Sequence, residues 1–176
     1  MRKTPLKLLA PILMIFLLNG CLGIPQGIAP IDNFKVNKYL GKWYEIARLD
    51  HSFEKGLSAV TAEYSLREDG GIKVINSGKQ PQQEERKVAE GKAYFISSEK
   101  TGHLKVSFFG PFYGSYIIFE IDEDDYQYAF ITSYDRSYLW FLARTPDVSK
   151  ELTAHFIKRA NQLGFNTNEL IFVKHH

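Results

Sequence analysis

From residue 43 onward, apolar and polar positions alternate in short runs separated by turn-forming clusters. Trp43 to Leu49, Ala59 to Leu66, Ile72 to Ser77 and Val88 to Ile96 are four such runs. Leu104 to Phe109, Tyr116 to Ile121, Tyr128 to Ser133 and Tyr138 to Ala143 are four more. A period of two is the signature of a half-buried strand. The Glu68-Asp69-Gly70-Gly71 cluster marks a turn, Lys79 to Lys87 reads as a loop, and Asp122 to Asp125 as a solvated turn. Regularly spaced strands suggest an all-β sandwich or barrel. An up-and-down order without free edges predicts an eight-stranded antiparallel barrel. One segment departs from this period. Leu152, Phe156, Ala160 and Leu163 form a single apolar stripe, which predicts a helix over 149–163 packed on the outside of the barrel. Pro146 precedes it and Gly164 follows it, as helix ends prefer. Leu170 to Val173 reads as a short ninth strand.

The N-terminus has a different pattern. Arg2, Lys3 and Lys7 flank an apolar run from Leu8 to Leu18 that ends at Asn19-Gly20-Cys21. The run falls well short of the roughly 20 residues needed to span a bilayer. A short membrane helix and an ordinary export signal with an unrelated cysteine are the alternatives. Against both, Cys21 is the only cysteine of the chain and stands where the signal ends. Leu18-Asn19-Gly20-Cys21 resembles the bacterial lipobox. That resemblance implies a diacylglyceryl group on the Cys21 sulfur, cleavage before Cys21 and acylation of the new N-terminus. Leu22, in place of an aspartate, implies by the same analogy the outer membrane. One acyl chain holds only marginally, at about 0.8 kcal/mol per buried methylene, whereas several hold stably. The expected organisation is a lipoprotein signal peptide over 1–20, a lipidated tether over 21–33 and a barrel domain over 34–176. The tether carries two prolines and two glycines.

Composition narrows the chemistry. The formal charge is +2, and loss of Arg2, Lys3 and Lys7 with the signal leaves a nearly neutral body with no basic stripe, which argues against a nucleic-acid partner. A lipidated Cys21 leaves no thiol for a disulfide, a metal or catalysis. His51, His103 and His155 fall in unrelated elements and His175-His176 form the tail, so no metal site or cofactor is expected. Ser133 and Asp135 lack the glycine-flanked turn that would make a serine nucleophile.

Gly41-Lys42-Trp43-Tyr44-Glu45-Ile46-Ala47-Arg48 resembles the Gly-x-Trp signature that opens strand A of the lipocalins. Thr132 to Arg136 stands where the family's second motif belongs but departs from its usual Thr-Asp-Tyr, and Arg144 matches the arginine that ends strand H. The helix and ninth strand follow in family order, so the resemblance covers roughly 34–174. Together with the lipobox it is similar to the bacterial outer-membrane lipocalins related to apolipoprotein D.

The resemblance implies that Gly41, Trp43 and Arg144 close the barrel base and are structural. If Trp43 faces inward, alternation turns Glu45 and Ala47 inward as well. The family register then implies cavity walls from Val60, Ala62, Tyr64, Val74, Asn76, Ala89, Val106, Phe108, Tyr116, Ile118, Ile131, Tyr138 and Trp140, with Ala93, Phe95, Ala129 and Leu142 on the same face. Tyr64, Asn76, Tyr116 and Tyr138 are expected to orient a polar head near the mouth, with Glu45 deeper. Small residues among aromatics fit an open cavity or a filled core, and the family favours the cavity. Gly110 to Gly114, next to Phe108 and Phe109, reads as either an apolar rim or a packed turn.

The implied function is membrane-anchored binding of fatty acids, lysophospholipids or similar amphiphiles, without catalysis. The subgroup can pair, so a homodimer is compatible with the sequence. A structural protein with a filled barrel and a lipid-modifying enzyme are the competing classes.

Overall fold

The structure is a computed structural model that describes residues 22–81 and 85–175. The expected signal peptide over 1–20 and the expected lipidation site Cys21 lie outside the described residues. Among the described residues, nine strands and two α-helices follow one another, with one turn of 3-10 helix at Thr167–Glu169. They are α1 (Val36–Tyr39), β1 (Gly41–Arg48), β2 (Ser58–Leu66), β3 (Ile72–Lys79), β4 (Arg86–Phe95), β5 (His103–Phe109), β6 (Phe112–Ile121), β7 (Tyr128–Thr132), β8 (Leu139–Ala143), α2 (Lys150–Gln162) and β9 (Ile171–Phe172). Each of β1 to β7 pairs antiparallel with the strand that follows it, and β8 pairs back with β1. The sheet therefore closes into a barrel without free edges. β9 adds on the outside of β1, with Arg48 opposite Ile171.

Alternation divides the apolar side chains between two cores. Trp43, Ala62, Val74, Ala93, Ile118, Ile131 and Leu142 point into the barrel. Ile46, Ile117, Phe119, Phe130 and Phe141 point outward and meet Phe156 and Ala160 of α2. The ring of Phe156 stands 4.9 Å from those of both Phe130 and Phe141. Ser149 caps the helix by accepting from Leu152 N at 3.1 Å, and Gly164 ends it at φ +81°.

The barrel has a closed and an open end. At the closed end α1 lies beneath Trp43, whose Nε1 donates to Tyr39 O at 2.8 Å. Gly41 turns the chain into β1 at φ +91°, a region costly for any residue with a Cβ, which accounts for the glycine of the Gly-x-Trp signature. The Arg144 guanidinium sits 3.8 Å from the Trp43 ring centroid and donates to the carbonyls of Lys42, Lys38 and Tyr126. The open end is ringed by the β1–β2 loop (49–57), the ends of β3 and β4, the β5–β6 turn and the β7–β8 loop (133–138).

The segment 22–33, expected as a tether, is fastened to the barrel wall. Ile31 N donates to Ile118 O and Gly102 N donates to Ile31 O, both at 2.9 Å. Further toward the N-terminus, Ser115 Oγ donates to Gly23 O at 2.9 Å, and Pro25 and Ile28 are buried. The 36–39 helix was not foreseen, because four residues carry too little periodicity to register.

Candidate functional site

Inside the barrel lies a cavity of about 220 Å³ that opens between the loops of the open end. Its walls include Val60, Ala62, Val74, Val106, Phe108 and Leu142, with Tyr64, Asn76, Tyr116, Tyr138 and Trp140 among them. Ten of the fourteen expected lining positions thus meet in one cavity. Four do not reach it. Ala47 faces the outer core beneath α2, because β1 bulges between Glu45 and Ala47 against β8 and the alternation inverts there. Ile118 and Ile131 are cross-strand partners that point inward, but the aromatic residues packed against them fill that part of the barrel. Ala89, opposite Asn76, lies on the half-exposed end of β4 and does not line the cavity.

Three of the five polar groups lie at a depth other than expected, whereas Asn76 and Tyr138 lie toward the mouth as expected. Tyr64 and Tyr116 are not at the mouth. The Tyr39 and Tyr116 hydroxyls are 2.6 Å apart, and those of Tyr64 and Tyr116 are 2.8 Å apart. The three form a hydroxyl cluster on the cavity floor, beside Trp43. Burial raises all three, Tyr64 to about 12, so the floor is neutral at any ordinary pH. Tyr39 lies in α1, before the first strand pattern, and only the fold brings it beneath the barrel.

Glu45, by contrast, points toward the mouth and into a buried charge cluster. Arg48 Nη1 donates to Glu45 Oε1 at 2.7 Å, with both side chains almost wholly buried. Arg48 Nη2 donates to Glu54 O at 2.9 Å and to Leu57 O at 3.3 Å, so the guanidinium also clamps the β1–β2 loop. Glu54 Oε2 accepts from Trp140 Nε1 at 3.1 Å and lies 3.2 Å from His51 Nε2, although the imidazole makes no aligned hydrogen bond. Two carboxyls thus share one cation. Burial pushes both up, their proximity raises Glu45 further, and Arg48 pulls them back. Burial and the Arg48 charge bring His51 down to about 4. Arg48 and Glu54 went unnoticed in the sequence. The available signal was a charged residue on a strand otherwise suited to burial.

Asn76 Oδ1 is buried on the cavity wall without a hydrogen-bond partner. Among the described residues no three His, Cys, Asp or Glu side chains stand where they could hold a metal ion. No helix among them is long and apolar enough to cross a membrane.

A closed eight-stranded barrel, plugged at one end and hollow at the other, defines a calyx-type binding protein. The lipocalin-like domain family matches residues 34–175, and the chain belongs to the lipocalin family. It is 56% identical over 163 residues to the outer membrane lipoprotein Blc of Vibrio cholerae, covering 93% of this chain and 95% of that one. It is 45% identical over 171 residues to the Blc lipoprotein of Escherichia coli K12, covering 96% of each. Rat apolipoprotein D is 36% identical over 126 residues, 68% of this chain and 66% of that one. Among solved structures, insecticyanin from the tobacco hornworm Manduca sexta superposes with a TM-score of 0.67 at 19% identity, covering 86% of each chain. The protein is thus a bacterial outer-membrane lipocalin, of a family that generally binds or transports small hydrophobic molecules and associates, in this branch, with the membrane.

Proposed function

We propose that this protein is a lipid-binding carrier of the cell envelope, tethered through lipid on Cys21, that stores or transports fatty acids, lysophospholipids or similar single-chain amphiphiles and catalyses no reaction. The observation that carries this reading is the cavity itself: about 220 Å³, walled by Val60, Ala62, Val74, Val106, Phe108 and Leu142, with a neutral floor and one mouth. Pockets for drug-sized ligands run to roughly 300–1,000 Å³, so the smaller volume suits a slim alkyl chain over a fused ring system. A chain of about 16 carbons gains on the order of 10 kcal/mol on leaving water, at ~0.8 kcal/mol per methylene. Association and ordering costs subtract several kcal/mol. Micromolar affinity then needs no strong head-group contact. Asn76 and Tyr138 are the groups toward the mouth that an amphiphile's polar head would meet, and the unpartnered Asn76 Oδ1 favours a head with a donor to offer.

Native mass spectrometry of the Cys21→Ser protein, made without the signal and exposed to membrane lipid extract, tests the reading. One fatty acid or lysophospholipid retained per barrel supports it and names the cargo class. A bare mass, with no displacement of a fluorescent fatty acid, would replace it with a structural barrel, and steady conversion of a bound ester with an enzyme.

A further inference from the structure

We infer that the barrel rests mouth-down on the membrane that holds its lipid anchor, with the β5–β6 turn in the bilayer interface, so that ligand passes between cavity and bilayer without crossing water. The inference rests throughout on the proposed lipid at Cys21, and on the carrier reading only for that last step. The orientation follows from the course of the N-terminal segment.

The chain does not leave the barrel at its closed end, where β1 begins. It runs back along the outer wall toward the mouth. Ile31 is paired with Ile118 O, and eight residues earlier Gly23 O accepts from Ser115 Oγ. Ser115 lies three residues nearer the open end of β6 than Ile118, an advance of about 10 Å at ~3.4 Å per residue. Between these ties, Arg136 of the open-end β7–β8 loop donates to Gln26 O and, at 2.6 Å, to Leu163 O. The segment is therefore strapped to the mouth half of the barrel from both sides.

Cys21 is two residues beyond Gly23, a reach of at most about 7 Å. From the level of Ser115, the closed end of β6 at Ile121 is about 20 Å away and the open tip at Phe112 about 10 Å, again at ~3.4 Å per residue. Lipid on Cys21 emerges at the mouth half and cannot reach the base.

The surface at that tip fits a bilayer interface. Phe109 and Phe112, paired across the turn, are 79% and 70% exposed, the two most exposed large apolar side chains among the described residues. Phe53 on the mouth loop and Ile24 on the strap are also exposed. Aromatic rings prefer the headgroup boundary to water.

The lipid-anchored full chain decides the matter. Cys21 is the only cysteine and is consumed by the anchor, so one introduced thiol can be labelled selectively. Phe112→Cys and Asp124→Cys would each carry bimane, in vesicles of phosphatidylethanolamine and phosphatidylglycerol containing nitroxide-labelled phospholipid. At least threefold stronger quenching at position 112 is expected. Equal quenching, stronger quenching at 124, or none at either overturns the orientation, whether or not the cavity binds lipid. For direct transfer, F109S/F112S should slow uptake of a fluorescent fatty acid from vesicles at least fivefold, with equilibrium binding in solution unchanged. Unaltered uptake would overturn direct transfer.

Discussion

The indole of Trp140 donates to Glu54 Oε2 at 3.1 Å, joining strand β8 to the loop that borders the cavity mouth. The loop is also held by Arg48, through the carbonyls of Glu54 and Leu57, and by Lys87, through that of Phe53. A polar pair and a guanidinium thus shape the mouth of a hydrophobic site, and both bonds are buried enough to matter.

Trp140→Phe removes the donor and keeps the ring. It should cost about 1–3 kcal/mol, because Glu54 loses a partner while remaining buried. Urea unfolding measures the cost. Hydrogen exchange should show the amides of 49–57 exchanging faster, with those of β6 and β7 unchanged.

Arg48→Met should be more severe, at about 3–5 kcal/mol, since it leaves Glu45 and Glu54 buried without the guanidinium between them. Adding Glu45→Leu and Glu54→Gln should recover much of the loss. If the triple variant is as unstable as the single, the loop carbonyls rather than the charge balance are what Arg48 serves.

Stability should depend on pH in two opposing ways. Glu45 and Glu54 are raised, so the folded state binds more protons than the unfolded one above the ordinary glutamate pKa of about 4.3, and stability falls as pH rises through the raised values. His51 is lowered to about 4, so its contribution is complete above about 6.5, the unfolded value, and is lost as pH falls toward 4. The His51 effect is complete above about pH 6.5. The urea midpoint should decline as pH rises through the range in which the raised carboxyls titrate, and Glu54→Gln should flatten the decline. A midpoint that stays level above the ordinary glutamate range, once His51 is neutral in both states, would mean both carboxyls are already ionised in the fold.

Arg144→Lys keeps the charge and loses the fork that ties three carbonyls over Trp43. A loss of about 1–3 kcal/mol is expected, with lipid binding retained by the folded fraction. Thermal unfolding and fluorescent fatty acid titration separate the two effects. Loss of binding without loss of stability would make the base part of the site.

Ala62 stands on the cavity wall opposite Asn76. Ala62→Trp should fill the space and abolish fatty acid binding, at a cost of about 1–3 kcal/mol for overpacking. Circular dichroism confirms the fold. Normal binding by a folded Ala62→Trp variant would place the ligand elsewhere.

Strand count and order and the barrel's two faces were legible in the chain, because side chains on a strand alternate with a period of two whatever surrounds them, and the outer helix was legible from its single apolar stripe. The sequence also marked Gly41, Trp43 and Arg144, through a spaced pattern that the closed end explains. What it left open depends on three-dimensional register. The bulge beside Ile46 turned Ala47 outward, and no local signal announces one extra residue in a ladder. Tyr39, Tyr64 and Tyr116 come from three elements, and only closure of the barrel brings their hydroxyls together on its floor. Glu45, Arg48, His51 and Glu54 are close in sequence, yet alternation reports the side of a strand and not the depth along it. Their burial around one cation was decided by the loop folding back over the mouth. The strap from Gly23 to Asn33 has the composition of a linker. Its path follows from hydrogen bonds to Ser115, Ile118 and Arg136, partners that lie far away in the chain and adjacent only in the fold.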